Sequence, residues 1–409
     1  MINAATIHVR NLAIRYSLLL ICAAVAAPNF VHAHGTAQTP NQLGNRAITF
    51  PDTETYQTLV VDLHTHSVFS DGHVWPKIRV DEALKDGLDG LAITEHLEYQ
   101  PHRADLLNPD RNKAYTEAAS AAEGSDLLVI RGSEITREAP AGHINAIFIE
   151  DANKLINAEN PPEDLTDVLG FYTAANQWPA QKAVEAAHSQ GAFIFWNHPY
   201  WTRQSPDGIA RITDFHADNA KNGILHGIEI ANGNTYSEEA FAIALAHDLA
   251  LIGVSDVHDL IDWDYKPHEG GHRPVTLVLA EDKSLAALKE ALFAKRTVVW
   301  FRNTLIGRAP ELIPVLQASL EISALSYRKD TSVAQVTLTN KSDMTMQLRY
   351  TGEHSLMLSA DRITVPAHGE VEVQVKPGAV VPTLELPFVV ENALTAPKQN
   401  PTLTLVSKR

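Results

Sequence analysis

Leu59-Val60-Val61-Asp62-Leu63-His64-Thr65-His66-Ser67 starts as an apolar run and ends in two imidazoles. The apolar part predicts a buried strand. Alternate residues of a strand face the same side, so His64 and His66 are presented together where the strand ends. A turn follows at Ser70-Asp71-Gly72. A helix is then predicted over Pro76–Lys85, opened by its proline and stopped by Gly87. The same order recurs downstream. Further strands are predicted at 90–94, 127–131, 144–149, 192–196, 227–230 and 249–254, with helices such as 181–189 and 237–248 between them. Repeated strand-then-helix order predicts a parallel α/β sheet, and this many units favours closure into a barrel. In a barrel the residues just after each strand gather at one rim.

Nine residues at predicted strand ends carry metal-binding chemistry: His64, His66, Asp71, His96, Glu134, His143, His198, Asp256 and His258. Asp256-Val257-His258 presents a carboxylate and an imidazole as His64-Thr65-His66 presents two imidazoles. Singly, each has a plainer explanation. A histidine near a strand end is commonly a hydrogen-bonded core residue, Asp-Gly is a common turn pair, and Glu134 or Asp256 could form a buried salt bridge. Jointly they are hard to explain without ions, because six buried imidazoles are costly to satisfy.

Val61 to Ser67 with Ser70-Asp71-Gly72 and Ala92-Ile93-Thr94-Glu95-His96 resembles the first motif of the PHP (polymerase and histidinol phosphatase) family. Gly132-Ser133-Glu134-Ile135-Thr136 with Gly142-His143 resembles its second motif, Asn197-His198-Pro199 its third and Ser255-Asp256-Val257-His258 its last. The resemblance implies a distorted (β/α)7 TIM-like barrel over 59–309 that binds two to three divalent ions, with Zn, Mn or Fe suited to the donors. By motif, His64, His66, Glu134 and Asp256 would hold the first ion. Glu134, His143 and His198 would hold the second, with Glu134 bridging, and Asp71, His96 and His258 the third. Glu134, Asp256 and His258 are the candidate catalytic residues.

Composition sets the limits. At 409 residues, one large domain plus a smaller one is expected. Past the barrel, at 310–409, alternating apolar and polar stretches between Asn, Ser, Gly and Pro turns predict an all-β, immunoglobulin-like sandwich without a catalytic cluster. Residues 1–33, with Arg10 and Arg15 before an apolar run and small residues near Ala33, read as a signal peptide. That predicts a periplasmic or secreted protein with no stable membrane insertion after cleavage. Residues 34–58 read as a linker or N-terminal arm. Cys22 is the only cysteine and lies within the signal, so any metal is bound by nitrogen and oxygen. A net charge of −16 repels nucleic acid, and none is expected as a partner.

Two cations sharing a water lower its pKa toward neutrality, and the expected reaction is attack of that hydroxide on the phosphorus of a small phosphate ester. Arg203, Tyr200 and Trp201, just past His198, are the candidate substrate contacts, and Trp263 could extend the aromatic wall. Glu95 and Asn197 adjoin ligands and could orient them. His268 and His272 follow on a Gly-rich loop. Two other readings share the constellation: hydrolysis of non-phosphate esters, amides or organophosphate triesters, and metal binding without catalysis.

Overall fold

The computed structural model describes residues 46–409 except Leu165. The expected signal at 1–33, and the arm as far as residue 45, lie outside the described residues. Seven strands make the barrel: β1 (Gln57–Asp62), β2 (Gly90–Ile93), β3 (Leu128–Thr136), β4 (His143–Ile147), β5 (Phe193–Trp196), β6 (Gly227–Asn232) and β7 (Ala250–Val254). Neighbours pair in that order. Closure comes at the rim, where Thr65 bridges Val257 in parallel, Asp256 N donates to His64 O at 2.9 Å and His66 N donates to Val257 O at 3.2 Å.

The fold is the expected α/β barrel, but its sheet is not wholly parallel, which corrects the reading from strand-and-helix order. β4 runs antiparallel to both β3 and β5. The cause is the connection: residues 137–142 between β3 and β4 are too few for the dozen or so that a crossover needs, so the chain turns back as a hairpin. β3 is also longer than its apolar core suggests, carrying Glu134 inside the strand.

The lower part of β1 pairs antiparallel with β8 (Val275–Ala280), followed by β9 (Thr297–Phe301) and β10 (Thr304–Gly307). Threonine hydroxyls on this extension satisfy the open edge of β7: Leu251 N donates to Thr297 Oγ1 at 3.2 Å and Gly253 N to Thr276 Oγ1 at 2.9 Å. Gly253 is required there, since an added Cβ would lie 2.3 Å from Val299 Cγ1. Helices cover the outside. α1 (Pro76–Lys85) begins on its proline as expected, and the helix Glu238–Ala246 is capped by Ser237, whose hydroxyl accepts from Ala240 N at 3.1 Å.

The helix Ala309–Ser319 leads into a sandwich whose first strand is Leu320–Ile322. One sheet contains Leu320–Ile322, Ala334–Asn340, Glu370–Lys376 and Ser355–Leu356, with Ser326–Tyr327 at its side. The other contains Arg362–Val365, Met346–Tyr350, Thr383–Val390 and Thr402–Lys408. Inward residues such as Val336, Leu338, Val373, Leu386 and Phe388 fill the space between them. This core is continuous with the barrel's through Leu312, Val315 and Leu316 of the helix and Leu277, Val298 and Trp300 of the extension. Ala393–Leu394 adds a short parallel strand to β10. Ile48 and Phe50 of the arm are buried in the same core, Phe50 edge-on to Trp300. Among the described residues, no helix is long and apolar enough to cross a membrane.

Candidate metal centre

All nine residues converge on the closed rim. His64 Nε2 and His66 Nε2 lie 2.9 Å apart, and Asp256 Oδ1 is 3.2 Å from the first and 3.1 Å from the second. Glu134 is fully buried among imidazoles. Its Oε1 lies 3.1 Å from His143 Nδ1 and 3.6 Å from both His64 Nε2 and His198 Nε2, and its Oε2 lies 2.6 Å from His96 Nδ1 and 3.6 Å from His66 Nε2. Asp71 sits between His96 Nε2 at 3.3 Å and His258 Nε2 at 3.1 Å. Three groups of donor atoms come close enough to share an ion: His64, His66 and Glu134; His96, Glu134 and His143; and His66, Asp71, His96 and His258. His66 and His96 each belong to two groups, so the partition is less sharp than three separate sets. His198 reaches the cluster through Glu134.

The backbone is shaped to aim these side chains. His198 and Asp256 have φ of 25° and 51°, in the left-handed region that costs a non-glycine residue about 1–3 kcal/mol. Each is held there by its own amide: Asp256 N donates to His64 O, and His198 N donates to Glu229 Oε2 at 2.7 Å. Gly72 lets the Asp71 turn close on the first motif, because a Cβ there would meet His66 C at 2.8 Å and Ser67 N at 2.7 Å.

The donor set fits divalent cations. His64 Nδ1 lies 2.7 Å from Glu229 Oε1, and since a carboxylate only accepts, Nδ1 carries the proton and Nε2 turns its lone pair inward. His258 Nδ1 likewise donates to Asp256 O at 2.8 Å, leaving Nε2 facing Asp71. Glu134 Oε2 and Asp71 Oδ1 are buried with only imidazole nitrogens beside them, and His198 Nδ1 is buried without a hydrogen-bond partner among the described residues. Burial alone would raise the Glu134 carboxyl, but the charges of His96, His143 and His64 hold it well below the usual range. Burial opposes charge on His258 too, and the bond and charge of Asp71 with the charge of Asp256 outweigh it, raising it to about 9. Burial and the charges of His258 and His96 lower His66 to about 3. The site thus keeps its carboxylates ionised and distributes positive charge among the imidazoles, which divalent ions would replace.

The supporting residues were only partly visible in the sequence. Asn197 donates to Glu134 Oε1 at 2.7 Å, and Glu95 accepts from Ser70 Oγ at 2.5 Å, whose oxygen lies 3.2 Å from His66 Nδ1. Glu229 was not singled out, although a carboxylate inside the apolar run of β6 is an available signal. It joins His64, His198 N and Asn232 Nδ2, and Asn232 in turn donates to Asp256 Oδ2 at 3.0 Å. Replacing Glu229 by Gln is expected to weaken metal binding about 10- to 100-fold, as loss of a carboxylate behind a ligating imidazole usually does. Titration of the metal-free protein would read it, and unchanged affinity would refute the role.

Arg79, buried on α1, was also unforeseen. It donates to four backbone carbonyls: His66 at 2.7 Å, Asp259 at 2.6 Å, His258 at 2.7 Å and Val257 at 3.3 Å. It also bonds Glu82 Oε2 at 2.7 Å. One guanidinium therefore ties the first ligand motif to the last.

A cavity of about 560 Å³ opens over the cluster, walled by ligands and by Tyr200, Trp201 and Asn232. Tyr200 is buried, its hydroxyl donating to Thr235 O at 3.1 Å, and Trp201 stands edge-on to His143 and His198. Arg203 lines an adjoining cavity. Trp263 is 68% exposed and lines neither. His268 is solvent-facing, and His272 stacks on Trp300 at 3.5 Å. None of these three lines either cavity.

A PHP domain model matches residues 62–224, and an Ig-like domain model matches 320–406. A crystal structure from Bacteroides vulgatus, of a two-domain protein containing a predicted PHP-like metal-dependent phosphoesterase, is 36% identical with a TM-score of 0.77. The match covers 88% of this chain and 98% of that one. The chain belongs to the PHP family. A protein from Bifidobacterium adolescentis proposed to be a metal-dependent phosphoesterase is 20% identical (TM-score 0.35; 49% of this chain, 88% of that one). An amidohydrolase from Chromobacterium violaceum, with bound sulfate and no metal, is 17% identical (TM-score 0.33; 49% and 87%). Neither of these two fits bears on the PHP assignment. No curated protein matches.

Proposed function

We propose that the PHP barrel hydrolyses phosphate esters, monoesters or diesters, at a centre of two to three divalent ions. The convergence of five imidazoles from four separated segments on the two oxygens of Glu134 carries this reading. His64, His66, Glu134 and Asp256 would hold one ion, Glu134, His143 and His198 a second, and Asp71, His96 and His258 a third. Bound there, such ions supply Lewis acidity, making water acidic near neutral pH and polarising a phosphoryl oxygen.

The chain's own groups fix the rest. Glu229 keeps the His64 proton on Nδ1, and Asn197 fixes the carboxylate plane of Glu134. Asp256 and His258 border the cavity where a phosphate enters, and Tyr200 and Trp201 wall it. The signal-like residues 1–33, with Arg10 and Arg15 before an apolar run, support a role outside the cytoplasm on small phosphorylated nutrients.

The test is metal analysis of the purified full chain with a panel of phosphomonoesters, phosphodiesters and aryl carboxylic esters, before and after chelation. Phosphate-ester turnover lost on chelation and restored by Zn, Mn or Fe is the expected result. Turnover of carboxylic esters alone, or full activity without metal, would overturn it.

A further inference from the structure

Beside the metal cavity lies a second lobe of about 540 Å³, and Asp71, His96, His143 and Trp201 line both. Beyond that shared wall the lining changes character. Tyr99, Leu169 and Tyr172 offer apolar surface, and Leu169 is 72% exposed at the start of the helix Val168–Asn176. Tyr99 and Tyr172 meet edge-on at 6.0 Å, and both line the lobe, where an aromatic group would find ring surface to pack on.

The lobe also holds a buried cation. Arg137 is 5% exposed, with Nη1 2.6 Å from Glu98 Oε1, while Nε and Nη2 have no hydrogen-bond partner among the described residues. A buried guanidinium with two unused donors is costly unless an acceptor reaches it. Glu138, the acid nearest in sequence, accepts from the Tyr172 hydroxyl at 3.1 Å.

We propose that this lobe is the leaving-group subsite: the substrate is a phosphate ester of an aromatic alcohol bearing an anionic group, its ring among Tyr99, Leu169, Tyr172 and Trp201 and its anion on Arg137. This rests on the phosphoesterase reading, with the phosphate at the metal cluster and the leaving group reaching past the shared wall. Arg203, over the Trp201 ring at 5.5 Å, edges the entrance to the same lobe.

The experiment compares KM for glycerol phosphate, phenyl phosphate and 4-carboxyphenyl phosphate on the metal-loaded full chain. The carboxylate is expected to lower KM about tenfold relative to phenyl phosphate, the scale of one charge-assisted hydrogen bond. In Arg137→Met that ratio should fall to near one, and in Arg137→Lys to an intermediate value, because a lysine lacks the fork. Leu169→Asp, at an exposed position that tolerates change, should raise KM for both aryl esters several-fold relative to glycerol phosphate, whatever Arg137→Met does to folding. Turnover of all three esters with equal KM for the two aryl substrates in the unmodified protein would overturn the subsite alone. No turnover of any of them would overturn the subsite as proposed, and no turnover of the phosphodiester panel either would overturn the phosphoesterase reading with it.

Discussion

Glu134→Gln is expected to strip the purified protein of most of its divalent metal and to lower phosphate-ester turnover at least about 10³-fold, the scale of several kcal/mol of lost charge stabilisation. The substitution keeps shape while removing the charge and turning one acceptor oxygen into an amide donor. Five imidazoles face that carboxylate, and its two oxygens are the centre on which the donor groups overlap. Without it Asp71 and Asp256 remain, but neither comes within 4 Å of His143, and the two donor groups that Glu134 joins lose their shared carboxylate. Elemental analysis and turnover should fall together while far-UV circular dichroism stays the same. His64→Ala and Asp256→Ala are expected to follow the same pattern. A Glu134→Gln protein that kept its metal and its rate would remove the basis of the proposed centre.

The second large effect is expected at a residue that touches no ion. Arg79→Met leaves the carbonyls of His66, Val257, His258 and Asp259, and the carboxylate of Glu82, without their common donor. Breaking a buried pair in this way costs about 3–5 kcal/mol, which for a chain of this size corresponds to a fall in melting temperature on the order of 10 °C. Because the two ligand motifs lose their shared anchor, the stabilisation conferred by added metal should shrink as well. Arg79→Lys should recover little, since an ammonium has one centre where the guanidinium spans several acceptors. Thermal unfolding with and without metal measures both. Wild-type melting and metal response in Arg79→Met would refute the clamp.

The contrast between Glu134 and Arg79 marks what the sequence discloses. Ligands were legible because metal chemistry restricts them to a few residue types and strand geometry spaces them by two, as in His64-Thr65-His66 and Asp256-Val257-His258. Strands such as Phe193–Trp196 were legible because every side chain in them is buried. Arg79 and Glu229 were not, because their partners are a set of carbonyls and a distant imidazole that only the fold brings near. The antiparallel β4 was missed for a related reason: its apolar run fits either direction, and direction is decided by the short connection before it. Trp263 and His272 show the converse: both lie near a ligand motif in sequence, yet neither lines the cavities beside the cluster.

The continuous apolar interior running from the barrel extension through Ala309–Ser319 into the sandwich means that the C-terminal fold is not a passenger on a tether. Severing the chain at Leu320 would open the core that holds Leu312, Val315 and Leu316 and strip β10 of the strand seated on its outer edge. The sandwich is a wall of the same building as the mouth of the barrel, so any surface it comes to rest against also fixes the compass bearing from which a ligand must approach.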